Sequence, residues 1–185
     1  MLRGTLLPLA CCLLLVPARG TEGPEKGPQR TPKVEEYEAR AAFLLSLAKY
    51  TEWPDDASPA GEPLLIGVMG DGPMAGALEG LAPTFQGRKV LVKRFRTSAE
   101  VQPCHILYFP VAEERHLPGL QSRLAGRSVL TVGETSFFLG FGGSLHLFNE
   151  DGRLRFVLNR TSLEQAHLRV SAQVQRLAKS ILPNP

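Results

Sequence analysis

Few side chains in this 185-residue chain have the type and spacing to do chemistry. Its four histidines, His105, His116, His146 and His167, fall in separate stretches, and no two have the spacing of a metal-ligand pair. The sequence has no Gly-x-Ser-x-Gly, no His-Glu-x-x-His, no Cys-x-x-Cys and no Walker loop. No nucleophile stands beside a base, so catalysis is the weakest functional class and no cofactor or metal is implied. Of the three cysteines, Cys11 and Cys12 lie in an apolar N-terminal run and Cys104 opens an apolar strand. A lone cysteine there reads as a small buried hydrophobe.

Binding residues are easier to nominate than catalytic ones. Gly70-Asp71-Gly72-Pro73 follows an apolar strand and opens a helix, where free backbone N–H groups can hold an anion. Glu134 ends a second strand with Thr131-Val132-Gly133, and both loops are expected at one sheet edge, where α/β proteins place ligands. Trp53, the only tryptophan, is either a partner anchor or a core cap. Phe137, Phe138 and Phe141 sit in a Gly-punctuated stretch that reads as an interface patch or as core.

The elements that must position these residues follow from periodicity. Tyr37, Ala41, Leu44, Leu45 and Ala48 recur at helical steps, predicting a helix over 35–53 stopped by Pro54. Its polar face, with Glu36, Arg40 and Lys49, is expected to meet solvent or a partner. Strands are expected at 64–69, 89–95, 105–109 and 128–132, with helices at 74–81 and 111–124, the second weakened by Pro118 and presenting Glu113, Glu114 and Arg115 to solvent. Asp151-Gly152 between alternating runs predicts an antiparallel hairpin. Thr161-Ser162-Leu163-Glu164 has the form of a capping box, opening a final helix to about Ile181. The expected fold is α/β: a mostly parallel sheet with helices on both faces, an antiparallel hairpin at one edge and a long C-terminal helix.

The N-terminus reads as an export signal, so the chain is expected outside the cytoplasm. Arg3, the apolar run Leu6–Val16 and the small residues Ala18 and Gly20 have the order of a signal peptide, over residues 1–20. A Pro/Gly-rich linker is expected at 21–34 and the domain at 35–182. Formal net charge is +3, from 21 basic and 18 acidic residues. Removing Arg3 and Arg19 leaves 19 against 18, too balanced for a nucleic-acid footprint.

Several stretches, in order, resemble the YfiR family of periplasmic proteins. They are Glu36 to Leu45 with Thr51-Glu52-Trp53-Pro54; Leu65-Ile66-Gly67-Val68-Met69-Gly70; Cys104-His105-Ile106-Leu107-Tyr108; Leu130 to Glu134 with Phe138 and Gly142-Gly143; and Arg155 to Asn159 followed by Leu168 to Gln173. The resemblance implies a periplasmic regulator that works by protein contact on an inner-membrane receptor, a diguanylate cyclase of cyclic-di-GMP signalling or a sensor kinase. It also implies an outer-membrane lipoprotein as a second partner, and a homodimer stays open. The family's named member uses disulfides, whereas Cys104 has no partner once residues 1–20 are removed. The alternative reading is a periplasmic small-molecule binding module using the Gly70 loop, Glu134 and Trp53.

Overall fold

The computed structural model describes residues 32–59, 61–81 and 84–182. The expected signal segment, and the expected linker as far as residue 31, lie outside the described residues.

Helix α1 (Pro32–Lys49) leads into the short strand β1 (Thr51–Glu52). Strand β2 (Leu64–Met69), helix α2 (Pro73–Leu81), β3 (Thr84–Phe85) and β4 (Arg88–Phe95) follow. Next come β5 (Ile106–Phe109), a 3-10 turn at Val111–His116 and α3 (Leu117–Leu124). Then the chain forms β6 (Leu130–Gly133), α4 (Phe137–Gly140), β7 (Leu145–Glu150) and β8 (Arg153–Asn159). The end is segmented: α5 (Arg160–Gln165), β9 (Arg169–Val170), α6 (Ala172–Leu177) and β10 (Ser180–Leu182).

Eight strands form one sheet in the order β10-β8-β7-β6-β5-β2-β4-β3, and β1 pairs with β9 separately. The β4-β2-β5-β6-β7 run is parallel throughout, so its central strands are apolar on both faces. Alternate residues divide between two cores. Ile66, Val68, Ile106, Tyr108, Leu130 and Val132 face α1 and α2. Met69, Leu107 and Phe109 face α3 and α4. The mostly parallel sheet with helices on both faces is therefore as expected. So is the hairpin β7–β8, whose turn residues Asp151 and Gly152 have φ of 51° and 73°, the two positive values that a tight primed turn requires. In the sheet, β10 lies outside it.

Three local expectations are corrected. Helix α1 stops at Lys49, not at Trp53, because Thr51 and Glu52 extend to pair antiparallel with Val170 and Arg169. The long C-terminal helix does not form. At its start Asn159, not Thr161, is the N-cap: its side chain accepts from the Ser162 N–H at 3.3 Å. At His167, φ is 54°, and the Leu168 and His167 N–H groups bond back to the carbonyls of Leu163 and Glu164 at 2.9 and 3.0 Å. That is a Schellman close with histidine where glycine is usual. Ser171 then caps a new helix through the Val174 N–H, and Ile181 joins the sheet beside Leu158.

Phe138 is the wedge of the second core. It is fully buried, and a Cβ built on Gly133 or Gly143 would stand 2.3 or 2.2 Å from its ring. Only glycine lets both backbones approach so closely. Phe138→Ala is expected to cost roughly 3–5 kcal/mol in urea denaturation, as for large buried aromatics generally; a loss below about 1 kcal/mol would contradict this packing.

Candidate functional site

A cluster of buried and half-buried polar residues lies at the C-terminal ends of β5 and β6, where a parallel sheet leaves its strand-end loops open to build a site. Glu134 follows directly on β6. The Tyr108 hydroxyl donates to Glu134 Oε1, and Arg40 Nη1 lies 3.6 Å from the same oxygen. Both charged side chains are nearly sequestered, at 9% and 10% exposure for Arg40 and Glu134. The guanidinium also donates to the Leu147 carbonyl at 3.3 Å and to Glu36 Oε1 at 2.7 Å. One arginine of α1 thus ties the helix to β7 and to the loop after β6.

Electrostatics follow from this packing. Burial works against the Arg40 charge, but Glu36, Tyr108 and Glu134 outweigh it and raise its pKa. Burial, and then the Glu134 carboxylate, push the Tyr108 phenol far above its ordinary value, and Tyr37 moves the same way for the same two reasons. Tyr108 is therefore a neutral donor, not a proton shuttle. Arg40, expected on the open face of the helix, is buried, and its head finds three oxygens: Glu36 Oε1, the Leu147 carbonyl and Glu134 Oε1.

The 3-10 turn after β5 joins the two loops singled out in the sequence. Glu114, expected to face solvent, is buried, because three donors of the next loop need its carboxylate. It accepts from the backbone N–H groups of Glu134 and Thr135 at 2.5 and 2.8 Å and from the Thr135 hydroxyl. Its neighbour Glu113 packs over Gly70, within 3.1–3.3 Å of where a Cβ would be. Gly70, Asp71 and Gly72 accordingly lie at the same sheet edge as Glu134, but β5 separates β2 from β6. Asp71 pairs with Arg96 in the open, and two carboxylates, Asp71 and Glu113, border the loop. That disfavours the anion this loop was expected to hold.

The aromatic stretch divides sharply. Phe138 is core, whereas Phe137, on the same short helix, is 77% exposed and Phe141, its C-cap, is 43% exposed. The frame below them is fixed by Glu114, by the Phe138 wedge and by the Asn159 carboxamide on the Leu139 carbonyl at 3.4 Å. His146 Nε2 donates to the Glu134 carbonyl at 3.1 Å while its ring stacks on Phe148, centroids 4.6 Å apart. Trp53 is elsewhere: half-buried against the first core at the opposite end of the sheet, edge-on to His105. Tyr108, Arg40 and Glu114 escaped sequence reasoning as site residues. Their only signal was a charge or hydroxyl recurring at a buried phase of the pattern.

The YfiR/HmsC-like family model matches residues 37–179. Among solved structures, a conserved domain protein from Vibrio cholerae O1 biovar El Tor superposes with a TM-score of 0.54 at 14% identity. The ABC domain from Streptococcus pneumonia, solved in complex with L-Trp, superposes with a TM-score of 0.53 at 9% identity. Each likeness covers 79% of this chain but only 60% of the neighbour, and at such identity it concerns the fold alone.

Two histidines, His105 buried and His146 half-buried, set a pH dependence. His105 is held below 6.5 by burial and then by Arg88; His146 is held below 6.5 by burial, partly offset by the Glu134 carbonyl. Both are neutral in the fold, and the unfolded chain takes up their protons first as pH falls. Their contribution is complete above the unfolded value of 6.5 and is lost below it. The urea midpoint is expected to fall between about pH 7.5 and about pH 5.5; a midpoint that rises over that window contradicts the assignment.

Proposed function

Since this chain belongs to the YfiR/HmsC-like family, we propose that it is a periplasmic regulator acting by protein–protein contact on an inner-membrane signalling receptor. The receptor class is a diguanylate cyclase, with a sensor kinase as the other form and an outer-membrane lipoprotein as a second partner. The family match over residues 37–179 carries this reading. The arrangement of the side chains agrees with it. Glu134 is occupied by Tyr108 and Arg40, Glu114 is spent on backbone N–H groups, and burial pushes the Cys104 thiol up to about 12, out of the reactive range. Beside the exposed Asp71–Arg96 pair, this sheet edge presents large apolar side chains outward. Phe137 opens the short helix α4 and Phe141 caps its C-terminus, both exposed, with Val111, 57% exposed, on the preceding strand-end turn. Exposed aromatics on a rigid frame are the kind of residue that dominates protein interfaces.

The Trp53 ring packs against the first core, which favours the aromatic segment over Trp53 as the proposed docking surface. In the described residues no helix is long and apolar enough to cross a membrane, so the proposed contact is made by the folded domain. Pull-down from detergent-solubilised envelopes of the native host, with wild type and a Phe137→Ala/Phe141→Ala variant, tests the proposal. Wild type is expected to retain an inner-membrane cyclase or kinase. The variant is expected to keep its Tm and lose affinity roughly thirtyfold, the equivalent of one ~2 kcal/mol anchor. Equal retention by the variant contradicts the surface, and recovery of no signalling receptor by wild type contradicts the function.

A further inference from the structure

Between α3 and α5, over the second face of β6, lies a cavity of about 310 Å³ with hydroxyls in its floor. Thr131, Ser144 and Ser162 line it, and all three are buried. Ser144 Oγ and Thr131 Oγ1 lie 3.1 Å apart, and the Ser144 N–H donates to Thr131 Oγ1 at 2.9 Å. This pair has two hydroxyl protons, and only one can lie between the two oxygens. The other meets no acceptor among the described residues. Ser162 Oγ gives its proton to the Gly142 carbonyl at 2.8 Å, which leaves its oxygen free to accept. The floor therefore offers a buried donor and a buried acceptor. A buried hydroxyl proton without a partner calls for an explanation, and one water would fill only a small part of this space.

The walls are held by the same kind of bond. Gln121 Nε2 donates to the Phe141 carbonyl at 2.5 Å, and a Cβ on Gly142 would stand 2.6 Å from that nitrogen. Leu117, Leu124 and Val129 make another wall apolar, and Gln165 brings a second amide from an exposed position. The lining has no carboxylate, and its one charged residue, Arg127, is exposed. A buried floor that donates and accepts without charge matches a neutral ligand whose own groups do both, as alcohol hydroxyls do. The volume lies at the small end for small-molecule pockets, the size of a single sugar ring. We propose that this cavity binds a monosaccharide. Its hydroxyls would meet the Thr131–Ser144 pair, Ser162 and the two glutamine amides, and its C–H groups would lie against the apolar wall. The lining includes none of Val111, Phe137 and Phe141, so the site stands whether or not that surface docks a receptor.

The backbone N–H of residue 144 sits in the floor, so its amide NMR resonance reports occupancy. Titration of the protein with D-glucose, D-galactose, D-mannose and D-ribose in turn is expected to shift that resonance saturably for at least one of them. Cyclohexanol, a ring with one hydroxyl, and sodium acetate, an anion for Arg127, are expected to leave it in place at equal concentration. Ser144→Ala keeps the backbone bond to Thr131 and deletes one floor hydroxyl. It is expected to weaken the responding sugar about threefold to tenfold, the range of one neutral hydrogen bond. If Ser144→Ala does not fold, Gln165→Ala, at an exposed position, decides by the same measure. A resonance that none of the four sugars moves, or that cyclohexanol or acetate moves as far, overturns the proposal. So does unchanged affinity in the deciding variant.

Discussion

The contact on which the rest of this domain depends is the buried meeting of Arg40, Glu134 and Tyr108. A guanidinium and a carboxylate taken out of water are tolerable only when each finds several partners, and removal of one member strands the other. Here Arg40 reaches a helix neighbour, a strand carbonyl and the β6 loop at once. It is an expensive way to fix a helix on a sheet, and apolar packing would do it at less cost. What apolar packing would not supply is register. The arginine accepts one rotation of α1 and one position of residue 134, and so defines both.

From that point the order runs along the chain into the surface. Glu134 carries its backbone N–H to Glu114, Thr135 adds two further bonds to the same carboxylate, and Phe138 drops into the gap left by Gly133 and Gly143. Helix α4 is only Phe137–Gly140, far too short to be stable by itself, and its geometry is imposed by these neighbours. Phe137 and Phe141 are exposed because Phe138 is not. A rigid aromatic pair loses little conformational freedom when it docks, which favours recognition by contact.

Much of this was legible in the residues. Apolar runs at 64–69 and 105–109 implied strands covered on both sides, and Asp151-Gly152 implied the hairpin, because these signals are local and periodic. The C-terminal helix was misleading because Ala166, Val170 and Val174 keep a helical spacing across a chain that bends at His167 and pairs Val170 with Thr51. Tertiary pairing overrode the pattern there, as it did at Trp53. Arg40 and Glu114 were read as solvent residues because charge in a single sequence signals exposure; their burial depends on partners about 20 or more residues away. Glu134 was the one member of the cluster visible beforehand, through its place at a strand end.

A double-mutant cycle on Arg40→Met and Glu134→Gln, read by urea denaturation, measures the central contact directly. The two side chains approach to 3.6 Å in a sequestered setting, so the losses are expected to be non-additive, with a coupling energy of about 1–3 kcal/mol. Losses that add to within about 0.5 kcal/mol would show that the pair is not coupled and that something else holds α1 against the loop after β6.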